Sequence, residues 1–200
     1  REMKSNISVI GAGIMGTGIA QVASSHGSSV SLMDASKDAL ERSRSSLIFF
    51  MNRLVEKGKI SIEESDAILS RVHWTSEIES IAASELVIEA VIENMKVKQK
   101  IFAEVESLVS NDCIIATNTS SLSVAEITSS CSNLSRVMGI HFFNPVPLMK
   151  LVEVIPMEKT APNLVNGVKT ILQSWNKTIV MAKDTPGFIV NRVARPFYVE

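Results

Sequence analysis

A doubly wound α/β fold with a mostly parallel sheet follows from three features of the 200-residue sequence. The chain opens on a β-branched run, NISVI, that ends in glycine and leads straight into a helical pattern. Short apolar strands then alternate with helical segments, a βαβα rhythm that places helices on both faces of a parallel sheet. The composition, 46% hydrophobic and 20% charged, supplies a core for such a fold and excludes a disordered chain.

Taken in order, NISVIGAG reads as a strand, IMGTGIAQVASSHG as a helix stopping at Gly27, and SVSLMD as the next strand. Strand, helix and strand in about thirty residues form a βαβ unit with a right-handed crossover. From Ser36 to about Arg71 the pattern is helical, with Leu40, Leu47, Ile48, Met51, Leu54 and Val55 at helical spacing. Gly58 interrupts it, and Ser61 followed three residues later by Glu64 is a capping box. Two helices joined near residues 57–59 are expected, an inserted pair that projects from the sheet.

Val72–Trp74, Leu86–Glu89, Cys113–Thr117 and Val137–Ile140 read as further strands. The helical segments between them lie around Ile78, from Lys96 to Val109 and from Val124 to Ser129. Leu151–Ile155 and Thr178–Met181 add two strands around a helix from about Pro162 to Trp175. Asp184, Thr185 and Pro186 suit a helix start, and the apolar Phe188, Ile189, Val190 and Val193 after them have nothing to pack on before residue 200. The expected organisation is one domain over 1–184 and, over 185–200, the first helix of a truncated second domain.

Twenty basic and 21 acidic side chains leave a net charge of −1, so no general attraction to nucleic acid or acidic lipid is expected. No apolar run approaches the ~20 residues of a membrane span, and the polar first six residues do not resemble a secretory signal. A cytoplasmic location is the resulting expectation. Cys113 and Cys131 lack the paired spacing of a zinc site and are expected to be reduced thiols, with no metal.

Gly11, Gly13 and Gly16 form a GxGxxG turn, with Ile14 and Met15 inside it, between a strand and a helix. In a Rossmann-type fold the first glycine permits the turn, the second admits a pyrophosphate, and the third lets helix meet strand. Asp34 closes the next strand, where a carboxylate accepts hydrogen bonds from a ribose diol; Ala35 and Ser36 follow, with no arginine for a 2′-phosphate. NAD is therefore expected rather than NADP. A bare glycine turn with a helix-capping aspartate is the simpler alternative.

Alcohol oxidation by nicotinamide needs a base for the hydroxyl proton, and histidine is the usual choice. His26 sits beside Gly27 as a helix cap, and His73 lies beside Trp74 in a short strand. His141 ends the strand VMGIH at a carboxyl edge, where open α/β sheets bind ligands; a hydrogen-bonded core histidine is as good a reading from position alone.

The strings GAGIMGTGIAQVAS, IEAVIENMKVKQ, TNTSSL, GIHFFNPVPLMKLVEV and KDTPGFIVNR, in this order, resemble the 3-hydroxyacyl-CoA dehydrogenase family over almost the whole chain. The resemblance implies an NAD-dependent oxidoreductase that interconverts an (S)-3-hydroxyacyl-CoA and a 3-ketoacyl-CoA, as in fatty acid β-oxidation. It implies His141 as general base, Glu153 as the carboxylate that holds its imidazole, and Ser120 as a hydrogen-bond donor to the reacting oxygen, with a shift to Ser121 left open. Asn191 matches an active-site asparagine, and Asn144 one near the thioester, although a turn before Pro145 also explains Asn144.

Glu93, Lys98, Asn118 and Ser120 match positions along the cofactor; a solvent-facing charge pair is the alternative for Glu93 and Lys98. Lys57 falls near a lysine that contacts CoA, with Lys59 as its rival, and Phe50 replaces a polar CoA contact of some relatives. The resemblance further implies an all-helical C-terminal domain that closes the acyl-CoA cleft and makes a homodimer, a mitochondrial or peroxisomal home if the source is eukaryotic, and weak or no turnover by this fragment. Two other readings are a noncatalytic, crystallin-like NAD-binding relative and a dehydrogenase of a small hydroxy acid.

Overall fold

The computed structural model describes residues 5–185, in which eight strands form one sheet. The first βαβ unit is β1 (Asn6–Ile10), α1 (Ile14–Ser25) and β2 (Ser29–Met33). The helical pair follows as α2 (Lys37–Glu56) and α3 (Ile62–Ser70), capped by the Ser36 and Ser61 hydroxyls and broken at Gly58, whose φ of +68° suits glycine. The pair is anchored as well as inserted, because Leu47 and Met51 of α2 are fully buried in the main core with Ile19 and Ala23 of α1.

The chain continues through β3 (Val72–Thr75), β4 (Leu86–Glu89), α4 (Met95–Leu108), β5 (Ile114–Thr117), α5 (Val124–Ile127) and β6 (Val137–Phe142). It closes with β7 (Leu151–Pro156), α6 (Pro162–Ser174) and β8 (Thr178–Met181). The segment around Ile78 is a 3-10 turn, and the helix expected to reach Ser129 is the single turn of α5. Thr128 ends it by turning its hydroxyl back onto the Val124 carbonyl.

The strand order is β3-β2-β1-β4-β5-β6-β7-β8, and every pair is parallel except β6 with β7. The order reverses between β1 and β4, which makes the carboxyl ends of those strands the crevice where doubly wound sheets take ligands. Burial dictates the strand sequences: β4 and β5 are buried on both faces and read LVIE and IIAT. β6 runs two residues beyond the sequence-based boundary because β7 returns antiparallel and pairs Phe142 with Val152. His141 is therefore the penultimate residue of β6, one short of its carboxyl end.

Both cysteines are free and buried; burial pushes the Cys113 thiol up to about 12 and Cys131 up to about 11, so neither is a ready nucleophile. His26 caps α1, its Nδ1 within 2.8 Å of the Val22 carbonyl oxygen, and His73 is exposed on the edge strand. No helix among the described residues is long and apolar enough to cross a membrane, and none of their side chains cluster as a metal site. Asn191 and the helix expected over 185–200 lie outside the described residues, Thr185 excepted.

Candidate active site

The glycine turn is built by close approaches that only hydrogen permits. Gly11 has a φ of +110°, and a Cβ there would lie 2.6 Å from the Ala90 carbonyl oxygen, at the reversal between β1 and β4. A Cβ on Gly16 would sit 1.7 Å from the Gly11 oxygen. Gly13 has open space around it and caps α1 without any side-chain hydrogen bond. The amides of the first helical turn thus face outward unclaimed by a cap, with room beside Gly13 for a pyrophosphate to reach backbone.

Asp34 follows β2 and accepts from Ala12 N at 2.9 Å and Ser36 N at 2.8 Å, which ties the glycine turn to the next loop. Two carboxylate oxygens offer about four acceptor sites, so capacity remains for a ribose diol. Ile14, next to the turn, is 78% exposed, while Met15 lines the neighbouring cleft.

That cleft, about 410 Å³, is bounded by Met15, Asn118, Ser120, His141 and Asn144, with Glu93 and Lys98 along one side. Alternation sends Met138, Ile140 and Phe142 of β6 into the main core and His141 to the opposite face. The antiparallel register sets Glu153 of β7 directly across from it, and Nδ1 lies 3.1 Å from Glu153 Oε1. Glu153 is wholly buried and His141 is 6% exposed. Such a carboxylate selects the tautomer with hydrogen on Nδ1, which leaves Nε2 as the basic nitrogen. Phe143 packs edge-on against the imidazole, ring centroids 4.5 Å apart, and fixes its plane. Asn118 accepts from Phe142 N at 2.8 Å, joining the end of β5 to that of β6.

Lys98 is no solvent-facing partner, being 1% exposed. Its ammonium donates to Glu89 Oε2 at 2.5 Å and to the Val91 carbonyl at 3.1 Å, and lies 3.1 Å from Glu93 Oε1. Glu89 was not singled out from sequence, yet it also accepts from Thr117 and Val91 N. Its signal was a carboxylate ending an otherwise apolar, doubly buried strand. Breaking one side of a buried pair typically costs about 3–5 kcal/mol. Lys98→Met is accordingly expected to lower stability by about 3 kcal/mol in thermal denaturation, with Glu89 left buried beside an uncharged chain.

Glu93 accepts from Thr119 Oγ1 at 2.8 Å and from the Ser121 hydroxyl and amide. Ser121 is thus engaged with Glu93, and Ser123 is the cap of α5. Desolvation is the largest influence on Glu93 and raises its pKa, but bonds from Ser121, Thr119 and Lys98 outweigh it and hold the carboxyl below its ordinary value. Its contribution to stability is therefore full above pH 4.5 and is lost as pH falls through the lower folded-state value. Glu93→Gln should flatten that acid limb in a pH series of melting curves.

A second, larger cleft of about 930 Å³ opens on the other side of Asn144, which lines both. Its walls are largely apolar, from Ile14, Gly18, Phe50 and residues 145–148; Ala12 and Gly13 of the glycine turn line it as well, as do Arg42, Arg53 and Lys57. Lys57, the C-cap of α2, borders it, whereas Lys59 does not.

Residues 6–185 match the protein family described as 3-hydroxyacyl-CoA dehydrogenase, NAD binding domain. The chain belongs to this family. The 3-hydroxyadipyl-CoA dehydrogenase of Escherichia coli K12 is 44% identical over 194 residues, 97% of this chain and 41% of that protein. The 3-hydroxybutyryl-CoA dehydrogenase of Clostridioides difficile is 41% identical over 97% of this chain and 69% of its own length. Among solved structures, the 3-hydroxybutyryl-CoA dehydrogenase of E. coli K12 superposes with a TM-score of 0.94 at 43% identity, covering 98% of this chain and 42% of that one. The chain thus spans less than half of the E. coli relative and about two thirds of the clostridial one. NAD is the cofactor of the family's domain, and the open backbone at Gly13, the uncapped start of α1 and the placement of Asp34 fit it.

Proposed function

We propose that this 3-hydroxyacyl-CoA dehydrogenase domain carries the cofactor site and the acid–base machinery of an enzyme that interconverts (S)-3-hydroxyacyl-CoA and 3-ketoacyl-CoA. The observation that carries the reading is the His141–Glu153 pair, set across two strands at 3.1 Å, with His141 lining a cleft that Met15 of the glycine turn also lines.

When bound, NAD supplies a nicotinamide that accepts or returns hydride at the substrate's C3. Gly11, Gly13 and Gly16 hold its pyrophosphate edge, Asp34 its adenosine ribose, and Glu93, Lys98 and Asn118 the nicotinamide end. His141 Nε2 takes the C3 hydroxyl proton, while Glu153 keeps the other nitrogen protonated and balances the imidazolium charge. Ser120, exposed at the cleft, donates to the same oxygen. Asn144 orients the thioester from the seam between the clefts, and Asn191 assists from beyond the described residues. Ketone reduction reverses these proton transfers.

The larger cleft suits an acyl-pantetheine chain, its apolar walls taking methylenes and Lys57 a phosphate at its margin. An acyl-CoA pathway such as β-oxidation, a homodimeric full-length protein closed by a helical second domain, and a cytoplasmic or mitochondrial setting complete the proposal. The similar proteins include, beside the bacterial ones, the mitochondrial hydroxyacyl-coenzyme A dehydrogenase of Rattus norvegicus, 40% identical over 98% of this chain.

The test is NADH formation by the full-length protein with 3-hydroxybutyryl-CoA and with free 3-hydroxybutyrate. Turnover confined to the thioester supports the reading; equal turnover of the free acid points to a small hydroxy-acid dehydrogenase, and none with either to a binding protein.

A further inference from the structure

The turn after Asn144 forms a wall of the larger cleft, and its outer side chains are open, Leu148 at 79% and Met149 at 41% exposure. An irregular segment with an exposed apolar face has little packing of its own to fix it. Two contacts behind it do. On one side Val146 is buried against α1, so close that a Cβ on Gly18 would lie 2.9 Å from Val146 Cβ. On the other, Lys177 reaches from the start of β8, and its Nζ donates to Val146 O and Met149 O, each at 2.7 Å.

Lys177 is only 8% exposed, and among the described residues its side chain makes no ion pair. Burying an ammonium on two carbonyls is an uneconomical way to stabilise a sheet edge, where an apolar side chain of similar length would serve. Charge-assisted bonds are, however, roughly twice as strong as neutral ones, and two of them fix both ends of a short turn.

We propose that Lys177 is a positioning residue for the acyl-CoA cleft: its ammonium clamps the 146–149 turn against Gly18 of α1 and so sets the width of the cleft beside Asn144. The inference deepens the functional reading above and rests on it. Lys177 touches neither glycine turn nor His141; Ala12 and Gly13 line the same cleft, but both Lys177 bonds go to the 146–149 turn, so its influence falls first on that wall.

The experiment is steady-state reduction of acetoacetyl-CoA by NADH with the full-length protein and its Lys177→Met and Lys177→Gln variants. Lys177→Met is expected to raise KM for acetoacetyl-CoA about tenfold, with KM for NADH within about twofold and kcat within about threefold of wild type. Lys177→Gln, which keeps an uncharged donor group, is expected to fall between the two. A merely structural lysine would lower the active fraction and hence kcat, with both KM values unmoved. That pattern overturns the proposal, as does a parallel rise in both KM values or failure of both variants to fold. An active wild type with an unchanged acetoacetyl-CoA KM in the variants removes this inference alone; a wild type inert towards acetoacetyl-CoA removes the functional reading and this inference with it.

Discussion

Replacing His141 with Gln is expected to lower kcat for acetoacetyl-CoA reduction by about three orders of magnitude in the full-length protein, the middle of the range for general acid–base catalysis. Glutamine fills most of the same space and can still donate to Glu153, so Phe143 and β7 keep their places, but its amide is not basic enough to take up a proton at neutral pH. NADH affinity, set at the glycine turn and the Glu93–Lys98 side, should stay within about twofold of wild type. Glu153→Gln leaves the imidazole in place with its tautomer no longer selected, and should cost about a hundredfold in kcat. Turnover of the His141 variant within about tenfold of wild type would sink the base assignment.

The second large effect lies in the glycine turn, where two similar substitutions should fail for different reasons. Gly16→Ala puts a methyl group 1.7 Å from the Gly11 oxygen, a backbone atom that cannot swing aside, and a Cβ has no rotamer by which to avoid it. Stability should fall by about 4 kcal/mol, at the severe end for single substitutions, and NADH binding should be lost with the shape of the turn. Gly13→Ala meets nothing within 4 Å and occurs at a φ of −77°, which any residue tolerates. That variant should melt with the wild type yet bind NADH about a hundredfold more weakly, because its methyl group occupies the approach to the first turn of α1. Thermal melts paired with NADH fluorescence titrations separate the outcomes; a Gly13→Ala protein with unchanged affinity would show that the pyrophosphate does not approach there.

Much of the fold was legible because local signals agreed with the global one. The β-branched strands, the Ser36 and Ser61 caps and the break at Gly58 each state a conformation within a few residues. The glycine turn and Asp34 were legible for the same reason, being a continuous local design. What sequence could not supply was the direction of β7. Read alone, LVEVIP is an alternating strand in which Glu153 faces either way, and only the antiparallel pairing sets it opposite His141. The resemblance to known strings named Glu153; periodicity did not. Glu89 ends an otherwise apolar strand, a local mark that shows a buried charge without naming its partners, one of which, Thr117, is 28 residues away. Lys177 carries no such mark, because Val146, which it holds, lies 31 residues away.

The connection between β6 and β7 runs from Phe143 to Lys150, and the chemistry depends on the pairing it enforces. Sliding β7 by a single position would turn Glu153 into the main core and carry Val152 and Val154 out of it. The valines on one face thereby hold the acid on the other: a misaligned hairpin forfeits its buried side chains before it can displace the carboxylate, so the same burial that stabilises the sheet guards the placement of the pair.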